Sequence, residues 1–261
     1  MNPIRLWFRD TLIRVGRVAN NDLAGRIDRL AAAQPALGGI NRASIAAHFL
    51  RGLGLEIGAL HRPLQLPPGV AAHYVDAAPI EVLQQRFPEI ANIRTPDIVD
   101  DGEHLGTVAA GSYDFIVANH FLEHTENPFA TLGNFVRVLR PGGRIFMAVP
   151  DKRWTFDRDR PVTTLDHLLK DYREGPEVSR RAHYDEWLRL IDHHTGEELA
   201  QRTEAFLRDR VNIHFHVWTI GEMSQMFMAA RQVVGLPLEV KLAFADPPML
   251  EVVWVLEVVG A

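Results

Sequence analysis

The 261-residue chain contains no cysteine. That absence removes disulfides, a thiolate nucleophile and thiolate metal ligation, so any metal would have to be held by His, Asp or Glu. Positive charge is not in excess either: 28 Lys and Arg face 33 Asp and Glu, for a formal net charge of −5. Nucleic-acid backbones are bound by clustered cations, so nucleic acid is not expected as the principal partner. Long apolar runs are also missing. Trp7 and Phe8 stand between Arg5 and Arg9, and Asp10 and Arg14 interrupt any stretch long enough for a signal peptide or a membrane span. The resulting expectation is a soluble, cytoplasmic protein with no membrane partner. Internal repeats and low-complexity tracts are absent as well, and nothing in the chain signals an oligomeric state.

What is present reads as one large domain carrying an elaborated cap. Apolar residues make up 47% of the chain, enough to bury a core at this length. Ile4, Phe8, Leu12 and Val15 recur at helical spacing, which predicts an amphipathic helix within an N-terminal helical extension over 1–48. From Leu53 onward, short apolar strands alternate with helical stretches, the pattern of a mainly parallel sheet covered on both faces. The predicted strands are Leu53 to Ile57 before Gly58, His73 to Val75 before Asp76, Phe115 to Ala118 before Asn119, and Arg144 to Val149 before Pro150. In open α/β sheets ligands sit beyond the carboxyl ends of the strands, so Gly58, Asp76 and Asn119 should cluster at one rim.

Pro128 to Leu139 reads as a helix that Arg140-Pro141-Gly142-Gly143 stops with a turn, completing an α/β core over 49–150. Residues 151–217 are rich in Arg, Asp and His, with helical segments around Leu165 to Tyr172 and Glu186 to Ile191, and read as a cap inserted over the rim. Thr219 and Glu222 form a capping-box pattern before Met223, Met226, Phe227 and Ala230. Leu238 to Phe244 and Leu250 to Val259, joined by a short Pro-containing connection, predict an antiparallel pair, so that 218–261 completes the core. The fold class is therefore a doubly wound, mainly parallel α/β sheet with an antiparallel C-terminal strand pair and an inserted cap.

Leu55-Glu56-Ile57-Gly58 followed by Tyr74-Val75-Asp76 resembles the first two cofactor-binding motifs of the class I S-adenosylmethionine-dependent methyltransferases, of the type 11 kind. Asp101-Gly102-Glu103-His104-Leu105 resembles their third motif. Tyr113 to His124 followed by Val138-Leu139-Arg140-Pro141-Gly142-Gly143 resembles their fourth strand, the helix after it and the start of the fifth strand. The resemblance runs from about Leu53 to Pro150. It implies S-adenosylmethionine as cofactor, with Glu56, Gly58, Ala59, Asp76, Asp101, Gly102 and Asn119 at its site. Asp76 would accept the ribose hydroxyls, and Asp101 and Gly102 would read the adenine. One departure is clear: Leu60 and Arg62 stand where the family has further glycines. Leu60 is expected either to crowd the carboxylate end of the cofactor or to leave His61 or Arg62 to supply it with positive charge. The same departure fails a dinucleotide fingerprint, so hydride transfer is not expected.

The predicted cap holds an unusual share of the 12 histidines, His183, His193, His194, His214 and His216 among them. His214 and His216 bracket Phe215, and an extended backbone there would project both from one face. Such a pair can hydrogen-bond in a semi-buried cap, act as base or ligate a metal; no metal ligands are assigned. His120, His214 and His216 are the candidate bases for a hydroxyl acceptor. Glu123 is expected to face solvent or to cap the helix start. The run Asp151 to Arg160 either lines an acceptor pocket for a sugar or phosphorylated metabolite or forms a salt-bridged surface loop. The expected function is methyl transfer to a small polar acceptor, a small molecule or glycan and in particular a saccharide hydroxyl. The alternatives are a catalytically silent cofactor-binding or interaction module and a metal-dependent hydrolase built on the histidines.

Overall fold

The computed structural model describes residues 39–245 and 250–260. The helix expected over Ile4 to Val15 and most of the strand-pair connection lie outside the described residues. The first described helix, α1 (Arg42–Phe49), starts on an Asn41 capping box. The strands are β1 (Leu53–Ile57), β2 (Ala71–Asp76), β3 (Ile98–Val99), β4 (Tyr113–Val117), β5 (Leu139–Pro150), β6 (Leu238–Phe244) and β7 (Glu251–Val258). They form one seven-stranded sheet in the order β3-β2-β1-β4-β5-β7-β6. Strands β1 to β5 run parallel, and β7 pairs antiparallel with both β5 and β6. This is the expected architecture. It puts the topological switch at β1/β4, where the chain reverses direction across the sheet.

Helices α2 (Ile80–Arg86), α3 (Pro128–Val138), α4 (Leu165–Glu174), α5 (Glu177–Leu190), α6 (Gly196–Asp209) and α7 (Ile220–Gln232) complete the described elements, with short 3₁₀ turns at Leu122–His124, Lys152–Trp154 and Phe156–Asp159. Helix α3 begins where Pro128 occupies its first turn and the Asn127 side chain accepts from the Ala130 amide at 3.1 Å. Its end departs from expectation. The helix stops at Val138, and Leu139 already pairs with Tyr113. The Pro-Gly-Gly turn sits inside β5 as a register shift, with Gly142 at φ +81°. The two-residue β3 and helix α2 carry too little apolar pattern to have been anticipated.

Alternation along the central strands builds a core on each face of the sheet. Phe115, Val117, Phe146 and Ala148 pack on Ile45 and Leu50 of the α1 side, whereas Ile116, Ile145, Met147 and Trp254 pack under Phe129, Phe135, Met223 and Met226. The helices after β5 have a smaller core of their own, centred on Tyr184, Trp187, Phe206 and Phe215. In the run Asp151 to Arg160, Asp151, Lys152, Asp157 and Arg160 are buried while Arg153, Trp154, Arg158 and Asp159 are exposed, so it is neither wholly a solvated loop nor wholly internal.

Candidate functional site

Register alone brings the rim residues together. Glu56 stands opposite Tyr74 and Val117, and Ile57 opposite Val75, so Gly58, Asp76 and Asn119 all lie at the carboxyl ends of adjacent parallel strands. The Gly58 amide donates to Val75 O at 2.9 Å, and its φ is +63°, with no atom of the described residues within 4 Å of where a Cβ would stand. Ala59 O accepts from Arg62 N at 2.9 Å, which closes the turn. Glu56 is buried at the end of β1, and its Oε1 accepts from the Leu64 amide at 2.7 Å, pulling the chain after the turn back against the strand. Burial raises the Glu56 pKa to about 7.

Leu60 takes a left-handed φ of +46° and packs on Ala78, Leu83 and Phe87 at α2. Its side chain therefore belongs to the α2 cluster. Asp76 closes β2 as a buried carboxyl whose pKa is pushed up to about 6; burial outweighs the amides of Ala77 and Ala78 and the charge of Arg86. Asp101 and Gly102 follow β3. The Asp101 carboxylate accepts from the Glu103 amide at 2.8 Å and lies 2.9 Å from His104 Nδ1, while Gly102 is pressed so close to Ile57 and Phe121 that a Cβ would meet them at 2.6 and 2.9 Å. Asn134 and Arg137 of α3 hold this loop by donating to the carbonyls of Glu103, His104, Leu105 and Val108. Asn119 Oδ1 accepts from Ala148 N at 3.0 Å, so its side chain splices β4 to β5.

A chain of charged groups runs behind the rim. His120, at a left-handed φ of +50°, places Nε2 2.6 Å from Glu251 Oε2 of β7, and Arg42 of α1 grips the same carboxylate. The His120 side chain is 44% exposed, and its Nδ1 is 3.7 Å from Glu123 Oε1. Partial desolvation of the ring works against its proton, but the Glu251 hydrogen bond and the charges of Glu251 and Glu123 outweigh it and raise the His120 pKa. Glu123 corrects the expectation of a solvent-facing helix-start acid. It is 2% exposed, has no side-chain hydrogen-bond partner among the described residues, and its pKa is raised by burial.

His214 and His216 are both buried, but they enter different clusters. His214 Nδ1 is 2.7 Å from Asp157 Oδ2, and Asp157 also accepts from Arg160, which in turn holds Glu186. Beside it, His124 Nδ1 faces Asn212 Oδ1 at 2.5 Å and Ile213 O at 3.0 Å. Burial and the neighbouring His214 push the His124 pKa down to about 3. His216 joins His167, Asp171 and His183 and stacks on Trp218. Glu251 and Arg42 were not legible as site residues, because each meets His120 from a distant segment, and His167 and Asp171 carried no signal beyond helical spacing.

The residues at the β1 and β2 ends fit S-adenosylmethionine on their own chemistry. An open glycine turn leaves space and amide donors, and a buried strand-end carboxyl lacks the hydroxyl donors that would favour its charged form. A family described as methyltransferase domain matches residues 33–230. Over 76 residues, 28% of this chain, the sequence is 37% identical to the lovastatin diketide synthase of Aspergillus terreus; the match spans 3% of that protein's length. Among solved structures, similarity extends to the methyltransferase bound to the Trm112 activator of Haloferax volcanii, at 15% identity, 95% of this chain, 98% of that chain and a TM-score of 0.47. It extends also to a SAM-dependent methyltransferase of Methanosarcina mazei, at 16% identity, 81% of this chain, 95% of that chain and a TM-score of 0.42. No helix among the described residues is long and apolar enough to cross a membrane. The family match covers most of the chain and includes every rim motif, so the chain belongs to the methyltransferase domain family.

Proposed function

We propose that this enzyme methylates a hydroxyl of a small polar acceptor, with a saccharide as the favoured class, and that His120 takes the hydroxyl proton. The observation that carries the reading is the His120 pair of contacts: one ring nitrogen bound to Glu251, the other facing Glu123, on a half-exposed side chain directly after the rim residue Asn119. S-adenosylmethionine supplies an electrophilic methyl group on a sulfonium, a reaction that asks the protein for orientation and a base and not for a covalent nucleophile. The turn at Gly58 and Ala59, the Asp76 carboxylate and the Asp101-Gly102 loop would hold it, with Glu56 and Asn119 bracing the strand ends.

With Nε2–H donated to Glu251, Nδ1 of His120 carries the lone pair that accepts the proton. The imidazolium so formed lies between two carboxyl groups. His214, tied to Asp157, and His216, enclosed by its own cluster, shape the cap. Trp154, 43% exposed just beyond β5 and next to Arg153, offers a flat apolar face beside cations, which suits a sugar ring.

The test is methyl transfer to a panel of saccharides and small alcohols, paired with calorimetric binding of S-adenosylhomocysteine. His120→Gln should lower turnover by roughly 10² to 10⁴ and spare cofactor affinity, while His214→Gln should not reproduce that split. Full activity in His120→Gln removes His120 as base. Methylation found only on nitrogen or carbon overturns the hydroxyl reading.

A further inference from the structure

We propose that His167, Asp171, His183 and His216 form a closed four-ligand site for a divalent ion of the zinc type, which ties α4 and α5 to the segment returning to the sheet. His167 and Asp171 stand one turn apart on α4, His183 projects from α5, and His216 precedes the Trp218 that leads into α7. One donor atom from each lies within 4.8 Å of all the others.

The spacing is that of a coordination shell. His167 Nε2 lies 3.1 Å from His183 Nε2 and 3.1 Å from Asp171 Oδ2, and His183 Nε2 lies 3.9 Å from the same oxygen. Ligands placed about 2.0 Å from a tetrahedral zinc are roughly 3.3 Å from one another. Hydrogen bonding alone leaves the cluster unsatisfied. Among the described residues His216 Nδ1 is buried without a hydrogen-bond partner, and Asp171 Oδ2 meets only the rings of His167 and His183; both residues have no exposed surface.

The outer contacts orient these atoms inward. Ser179 Oγ donates to Asp171 Oδ1, leaving Oδ2 for the ion, and His216 Nε2 points at Glu126 O at 3.4 Å, leaving Nδ1. Three imidazoles and one carboxylate suit zinc, whereas magnesium and calcium take oxygen shells. Four protein ligands leave no open position, so the ion is structural and stands apart from the proton chemistry at His120. The inference does not depend on the acceptor class.

Untagged full-length protein, purified without chelator, should carry about one zinc per chain. X-ray absorption at the zinc edge should show three imidazole nitrogens and one oxygen at about 2.0 Å. His183→Gln and Asp171→Asn should each weaken zinc binding by at least about 100-fold, and Ser179→Ala by about 10-fold through the outer contact. His193→Gln, on an exposed cap histidine, should leave it unchanged. Wild-type protein that is metal-free and takes up no zinc from a buffered micromolar supply overturns the proposal, as does zinc retained in both ligand variants or an oxygen-dominated shell. Should the ligand variants fail to fold, metal content and absorption of the wild type and Ser179→Ala decide the matter.

Discussion

Asp76 is the residue at which the proposed cofactor site turns burial into affinity. Its carboxyl sits at the end of β2 with a pKa raised to about 6, because desolvation exceeds the help of two amides and Arg86. On the proposed reading, two vicinal hydroxyls of the cofactor ribose would donate to the ionised form, at a strength typical of charge-assisted hydrogen bonds. Cofactor affinity should therefore be level above that pKa and fall as pH drops through it. Calorimetry with S-adenosylhomocysteine across this range should show the fall in wild type and a flat profile in Asp76→Asn. Asp76→Ala should lose more than about tenfold in affinity with the fold intact. A flat wild-type profile, or unchanged affinity in Asp76→Ala, removes this carboxylate from the site.

At the scale of elements, the rim depends on how closely β1 and β4 approach. Gly54 stands opposite Phe115 in the parallel ladder, and a Cβ at Gly54 would meet the Phe115 ring at 2.2 to 2.5 Å. The glycine is required by packing and not by backbone conformation, since the ring occupies the space that a side chain would take. Gly54→Ala should cost about 1 to 3 kcal/mol by overpacking. It should also lower Tm by roughly 2 to 4 °C per kcal/mol for a domain of this size. Trimming the ring in Gly54→Ala/Phe115→Leu should restore part of the loss. A melting temperature unchanged by Gly54→Ala would show that the strand pair tolerates a wider spacing.

For the whole molecule, the buried histidines set a limit on acid stability. His124 is held near a pKa of about 3 by burial and by His214, whereas in the unfolded chain it titrates near the ordinary imidazole value of 6.5. The folded pKa is depressed, so the unfolded state binds the proton first. This contribution to stability is complete above 6.5 and is lost as pH falls towards 3. Urea midpoints should drop between about pH 7 and about pH 5, and the drop should be smaller in His124→Gln. Equal slopes in the two proteins would mean that His124 becomes protonated without unfolding.

The order of elements, the parallel sheet with its antiparallel final pair and the rim of Gly58, Asp76 and Asn119 were legible in the sequence. Strand-end polarity and apolar periodicity are local signals, and a parallel register carries them to one edge without further information. Leu60, Glu123 and the histidine pair were not legible, because their surroundings come from distant segments. The α2 cluster claims Leu60, cap residues bury Glu123, and α4 and α5 draw His216 into a cluster separate from that of His214. Sequence spacing determines which residues share a face. Which partner a buried charge or imidazole meets was decided only by tertiary packing, since that partner comes from another element and desolvation makes its identity decisive.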